Sequence, residues 1–339
     1  MESIFNKYGW DVIAYNQLHQ GLINSTFVVN THSGDYILQT VNHHIFTNPS
    51  AIDNNINLVG SYLKKKHPNY LFTHLVPTYQ GKTLVEWEGQ FYRAFHKIEG
   101  YALSLLENEQ QAFEAANQFG QFTNLLRDFD ANCLQTTLPD FHNLSLRYHQ
   151  FLTALQNGNP QRIEQSKEAI HFLKLHHTYV VQYEKFIQHS DTHKRVTHHD
   201  TKISNVLFKQ INGTEKAIAV IDLDTVMPGY FISDIGDMCR TYLCSVSEEE
   251  ANLDQLSLDA QKWEALQKGY MSAMDSALST FEKEHFFFAG QFMIYMQALR
   301  FLTDYLNMDL YYGAKYEGQN YVRALNQIRL LELYNQLGK

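Results

Sequence analysis

Cysteine is scarce in this chain. Cys133, Cys239 and Cys244 are all it has in 339 residues, and no two stand as C-x-x-C. An odd, sparse set excludes a disulfide framework and predicts free thiols in a reducing compartment. Unbroken apolar runs are missing as well. The most apolar stretch, residues 286–306, is interrupted by Gln291, Gln297, Arg300 and Asp304, which a bilayer core would reject but a buried helix accepts. Positive charge is in deficit: 27 Lys and Arg against 36 Asp and Glu give a net charge of −9. That balance argues against a nucleic-acid-gripping protein. The one dense basic run, Lys64-Lys65-Lys66-His67, closes a predicted helix, where cations meet the dipole favourably. No basic segment followed by an apolar run opens the chain, so we expect no secretory leader, no membrane association and a cytoplasmic location. Hydrolase and zinc signatures are absent too: there is no G-x-S-x-G, no C-x-P-x-R and no H-E-x-x-H. The 17 histidines include the adjacent pairs His43-His44, His176-His177 and His198-His199, whose side chains diverge on a strand or helix. They read as surface or loop residues.

What is present is an ordinary globular composition, 44% apolar and 19% charged, unusually rich in aromatics with 22 Phe and 21 Tyr. The length suits two lobes. The first hundred or so residues read as strand-rich with one long helix. Residues 27–29 and 36–41 are β-favouring, separated by Ser33-Gly34-Asp35, and residues 71–76 and 91–98 look like further strands. Between them Ile52, Ile56, Val59 and Leu63 recur at helical spacing. After Gly100 the texture becomes helical, over 109–127, 144–156, 160–188, 258–279, 286–306 and 321–336. One β segment interrupts it: 206–208, a turn at Asn212-Gly213, then 217–223. Asn-Gly between apolar runs is a hairpin signal. The expected fold class is α+β, bilobal, with a small β-rich lobe over 1–98 and a larger, mainly helical lobe over 99–339.

Residues 196–205 and 220–224 carry the chemistry. His198-His199-Asp200-Thr201-Lys202-Ile203-Ser204-Asn205 is followed by an apolar strand, the hairpin, and Val220-Ile221-Asp222. Phosphoryl transfer asks for a nucleophile held in line, charge neutralisation on the phosphates, and fixed donors around the migrating group. Asp200 can accept or orient the acceptor's proton, while Asn205 and Asp222 offer hard oxygens to magnesium. Lys202 can meet the migrating phosphate, and His198 can brace the loop from beneath. Asp200 and Asn205 alone would equally make an Asx turn before a strand. The joint pattern of H-x-D-x-K-x-x-N, strand, hairpin and apolar-apolar-Asp is much more restrictive.

These residues resemble the catalytic loop and metal-binding aspartate of the protein-kinase-like superfamily, in its aminoglycoside phosphotransferase branch. Residues 36–42, 198–205, 221–229 and 300–305 look most like the N-acetylhexosamine 1-kinase group, which uses ATP and Mg2+ to phosphorylate an anomeric hydroxyl. The resemblance implies Asp200 as base, Asn205 and Asp222 as metal ligands, and adenine against the hinge at Ile98-Glu99-Gly100. Gln39 stands where most of the superfamily carries a phosphate-gripping lysine, and is expected among the nucleotide ligands. Gly21 is the single glycine of the expected phosphate-covering loop.

The acceptor is expected to be small. Asp222 is followed at once by Leu223–Gly229 and Ser233–Asp237, which leaves no room for the long segment on which a protein kinase docks a peptide. Arg300, Asp304, Asp309, Tyr311, Tyr312, Tyr316 and Arg323 are polar in a stretch otherwise rich in Phe and Leu, an inventory that fits a sugar. Interhelical hydrogen bonds and ion pairs would use the same residues. Arg300 and Tyr311 lead from the resemblance, with Asp304 beside them as the third expected sugar ligand. A monomer or weak dimer is expected.

Overall fold

The structure, a computed structural model, describes residues 1–18 and 23–338. The N-terminal lobe comprises α1 (Glu2–Tyr8), β1 (Val12–Leu18), β2 (Ser25–Thr31), β3 (Gly34–Val41), α2 (Pro49–Lys66), β4 (Leu84–Trp87) and β5 (Gln90–His96). Its strands form an antiparallel sheet in the order β1-β2-β3-β5-β4. Strand alternation gives the sheet two apolar faces. Val29, Tyr36, Leu38 and Ala94 pack with Ile4, Phe5, Tyr8 and Trp10, the Trp10 ring stacked on Tyr36 at 4.4 Å. On the other face Val41 and Phe95 join Ile52, Ile56, Val59 and Leu63 of α2 in the main core. Gln39 and Arg93 sit on this second face, directly paired across β3 and β5.

The expected strand over 71–76 is irregular chain, tied to β5 by a bridge from Leu75 to Phe95 and a bond from Val76 N to Ala94 O at 2.8 Å. Pro77 cannot continue a ladder, which ends the run early. β4, β1 and α1 were not foreseen.

Between His96 and Tyr101 the chain leaves one sheet for another. Lys97 ion-pairs with Glu99 at 2.6 Å. A Cβ on Gly100 would lie 2.9 Å from Phe208 O, so glycine lets the connection press against the second lobe. β6 (Tyr101–Ala102) then pairs with β8 (Val206–Ile211), and β8 with β9 (Thr214–Val220), after β7 (Arg195–Thr197), which pairs with β10 (Met227–Gly229). The β8–β9 turn has Asn212 at φ 51° and Gly213 at φ 77°, the left-handed pair that Asn-Gly favours.

The helices are α3 (Glu109–Leu125), α4 (Leu144–Asn157), α5 (Pro160–Gln165), α6 (Lys167–Leu175), α7 (Thr178–Gln188), α8 (Phe231–Tyr242), α9 (Ala260–Met274), α10 (Thr280–Glu284), α11 (Phe286–Leu306) and α12 (Gln319–Leu337). α11 runs through the centre against α4, α8 and α12. The apolar period over 160–188 spans three helices, not one. Ser166, fully buried, turns its hydroxyl back to Arg162 O at 2.7 Å and ends the first. No helix among the described residues is long and apolar enough to cross a membrane.

Candidate active site

The loop between β7 and β8 is held by two aspartates from α8. Asp234 accepts His198 N at 3.1 Å and His199 N at 2.7 Å, and Asp237 accepts Thr201 N at 2.9 Å. Thr225 Oγ1 donates to His198 O and Tyr242 OH to Thr201 O. These bonds satisfy the backbone of a buried non-helical segment that has no sheet partner. They also fix His199 at φ 67°, and its ring fits because a Cβ on Gly229 would sit 2.4 Å from it. Burial raises the Asp234 carboxyl to about 7 against the opposing pull of its two amide bonds. Beneath the loop lies His198, fully buried and edge-on to Phe119 at 5.1 Å, with Nε2 3.0 Å from Ile221 O. Burial lowers its pKa, so the neutral ring donates from Nε2 and ties the loop to the end of β9.

Asp200, Lys202, Asn205 and Asp222 meet at the mouth of this scaffold. Lys202 Nζ lies 2.7 Å from Asp200 Oδ2 and 3.9 Å from Asp222 Oδ2. Asn205 donates Nδ2 to Asp200 O at 2.9 Å and to Asp200 Oδ2 at 3.0 Å, so its Oδ1 is the amide atom left for another partner. Asn205 O accepts Ile221 N at 2.9 Å, which fastens the two arms of the site together. Asp222 holds φ 62°, a left-handed conformation that neighbours must impose on a non-glycine residue. Burial, then Asp224, then Asp200 raise the Asp222 carboxyl to about 7, while Lys202 and Arg93 oppose the rise. For Lys202, burial works against the charge, but Asp200 and Asp222 outweigh it and the pKa is raised. Asp200, Asp222 and Asp224 thus face Lys202 and Arg93, a surplus of carboxylate. Asn205 Oδ1 and the Asp222 carboxylate are hard oxygens beside that surplus and would suit a magnesium ion.

On the N-terminal side Gln39 is bonded within the sheet. Its Oε1 accepts Arg93 Nε at 3.0 Å and Nη2 at 2.8 Å, and its Nε2 donates to Thr26 Oγ1 at 3.2 Å. Gln39 thus holds Arg93 through its Oε1, and one N–H of its Nε2 beyond the bond to Thr26 is left for another partner. The Glu99 carboxylate is 70% exposed and paired with Lys97. Gly21 lies outside the described residues. Asn24, just past them, donates to Asp224 Oδ2 at 2.7 Å and accepts Asn42 N at 2.9 Å.

On the C-terminal side Arg300 Nη1 donates to Gln297 Oε1 at 3.2 Å and Nη2 to Tyr311 OH at 3.3 Å. Its guanidinium carbon lies 5.8 Å from the Phe141 ring and 5.3 Å from Tyr312. Tyr311 is 70% exposed. Asp304 is bonded within its own surroundings. Its Oδ1 takes Tyr311 N at 2.7 Å, and its Oδ2 takes Tyr312 N at 2.9 Å and Asn320 Nδ2 at 3.1 Å. Buried there, it shapes the loop that carries Tyr311. Arg162 pins the same loop through Asp309 at 2.6 Å. Deeper in, Arg240 pairs with Asp237 at 3.1 Å and Glu248 at 2.8 Å, and Arg323 also contacts Glu248.

Sequence reasoning brought out the four central residues but missed Arg93, Asp224, Asp234 and Asp237 as parts of the site. One signal for Arg93 was on the page: a lone cation inside the apolar strand Phe91-Tyr92-Arg93-Ala94-Phe95.

Residues 14–268 match the phosphotransferase enzyme family. Among solved structures, an aminoglycoside phosphotransferase from Alicyclobacillus acidocaldarius superposes with a TM-score of 0.66 at 12% identity, over 100% of this chain and 95% of that one. Spectinomycin phosphotransferase in complex with ADP and spectinomycin gives 0.61 at 11% identity, over 99% and 97%. Choline kinase from Cryptosporidium parvum gives 0.56 at 12%, over 96% and 90%. At such identities the likeness is one of fold: the bilobal, protein-kinase-like α+β architecture.

Proposed function

The chain belongs to the phosphotransferase enzyme family, and from that premise we propose that it transfers the terminal phosphoryl group of ATP to the anomeric hydroxyl of an N-acetylated hexosamine or a related sugar. The observation that carries the reading is the meeting of Asp200, Lys202, Asn205 and Asp222 within hydrogen-bond and ion-pair distance in one cleft. Asp200 accepts the proton of the acceptor hydroxyl as its oxygen bonds to phosphorus. The bond from phosphorus to the ADP oxygen breaks, and the proton leaves from Asp200 to solvent. Lys202, already beside Asp200, faces the negative charge spread over the migrating group. Asn205 and Asp222 would hold magnesium, which when bound neutralises charge on the phosphates. Adenine would lie against the backbone of 98–100, in keeping with the ADP that spectinomycin phosphotransferase binds.

The acceptor's place is beside Arg300 and Tyr311. An alternative is a cationic alcohol, since choline kinase and aminoglycoside phosphotransferases share the fold. Arg300 speaks against it. Phe141, Tyr311 and Tyr312 form the aromatic surround a quaternary ammonium would want, and the Arg300 guanidinium already lies among them.

Incubation with ATP, Mg2+ and a panel of sugars, followed by phosphorus NMR, tests the proposal. A sugar 1-phosphate is expected. Transfer to choline or an aminoglycoside but to no sugar would replace the reading.

A further inference from the structure

The centre of β5 holds an arginine whose side chain is 2% exposed. A guanidinium taken out of water costs several kcal/mol unless it is paired. Arg93 is paired across the cleft: Nη2 lies 2.5 Å from Oδ1 of Asp224, itself 2% exposed and two residues beyond Asp222. The other oxygen of Asp224 takes Asn24 Nδ2 at 2.7 Å. From behind, Gln39 accepts both Nε and Nη2 of Arg93 and is itself held by Thr26. A continuous chain of polar contacts, Thr26–Gln39–Arg93–Asp224–Asn24, buried at its Arg93–Asp224 centre, therefore ties β2, β3 and β5 to the turn that carries Asp222. That turn needs external support, because Asp222 sits at a positive φ that its own backbone disfavours.

We propose that Arg93 is a positioning residue for the magnesium–nucleotide complex: by holding Asp224 it sets the Asp222 turn against the N-terminal sheet. This rests on the kinase reading above and adds to it the part that joins the lobes at the metal side of the cleft. Lysine would fill the role only in part. It has one nitrogen, whereas Arg93 keeps Nε on Gln39 while Nη2 meets Asp224.

The test is calorimetric titration of ADP with and without magnesium, which does not depend on knowing the acceptor, combined with thermal unfolding of each protein. In the wild type magnesium tightens ADP binding, and the ratio of the two dissociation constants measures the coupling. Arg93→Met leaves Asp224 buried without a partner and is expected to lower Tm. The double variant Arg93→Met/Asp224→Asn removes both charges and regains most of that Tm. Even so, it is expected to lose about tenfold of the magnesium coupling while binding metal-free ADP like the wild type. Arg93→Lys should recover part of the coupling, and it carries the test if the double variant does not fold. A folded variant whose magnesium coupling stays within about twofold of the wild type would overturn the proposal, since a purely structural residue moves Tm but not that ratio. Wild-type protein that binds no ADP would instead overturn the kinase reading, and this inference with it.

Discussion

Lys202 Nζ lies 2.7 Å from Asp200 Oδ2, so the cation for the migrating phosphate and the acceptor for the nucleophile's proton stand as neighbours before any substrate arrives. The pair is not a strut for the fold. The Lys202 side chain is 42% exposed, and an ion pair that open adds little to stability. Its value is in the reaction, where a fixed ammonium need not reorganise as charge develops.

Lys202→Met is therefore expected to lower kcat by about 100-fold, with Tm almost unchanged. Steady-state kinetics beside thermal unfolding checks this. A large loss of Tm with kcat intact would reverse the assignment.

Asp222 gives a pH dependence with a definite sign. Its carboxyl is raised to about 7 in the absence of metal, by burial and by Asp224 and Asp200, and only its ionised form binds a cation. Protons and magnesium compete, so lowering the pH below about 7 weakens magnesium binding by up to tenfold per pH unit. At limiting magnesium the rate should fall on the acid side, and added magnesium should move that fall to lower pH. An acid limb that does not shift with magnesium would contradict the role.

Asp234 should behave as a structural carboxylate. Replacing it with Asn sets an amide NH2 against one of the two backbone N–H groups it now accepts, at a cost of about 1–3 kcal/mol. Urea unfolding measures the loss, and kcat should drop with it because the loop bearing Asp200 loosens. A variant with unchanged urea midpoint and unchanged kcat would show that the loop holds itself.

Arg300 and Asp304 should separate cleanly although they lie one turn apart on α11. Arg300→Gln is expected to raise the acceptor KM about tenfold with little change in Tm, because its present partners are neutral and its surroundings open. Asp304→Ala takes the acceptor from two backbone N–H groups and from the buried Asn320 amide and should cost about 2 kcal/mol of stability. Measured together, KM and Tm would expose a wrong division of labour if both variants moved the same quantity.

The parts of this molecule that were legible in the sequence are those whose cause is local. Asn212-Gly213 announces its hairpin because both residues must take positive φ, and α11 is legible because its stretch is the most apolar in the chain. Asp200, Lys202 and Asn205 lie within six residues, so their shared chemistry can be read along the chain. What stayed hidden depends on pairing between distant segments. Nothing near Asp224 points to Arg93, and nothing near Gln39 says that its Oε1 holds Arg93. The bonds of Asp304 to Tyr311, Tyr312 and Asn320 were hidden for a related reason, since they close a loop that the sequence does not show. The helix expected over 160–188 misled because an apolar period continues through two breaks, one at Ser166 with its back-bonded hydroxyl and one at His176-His177.

The most direct test of the account is transfer of labelled γ-phosphate from ATP to the sugar panel by wild-type protein and by Asp200→Asn. The account predicts a sugar phosphate from the wild type and a loss of about 1000-fold or more in the variant, while its affinity for magnesium–ADP is preserved. Undiminished transfer by Asp200→Asn would contradict it.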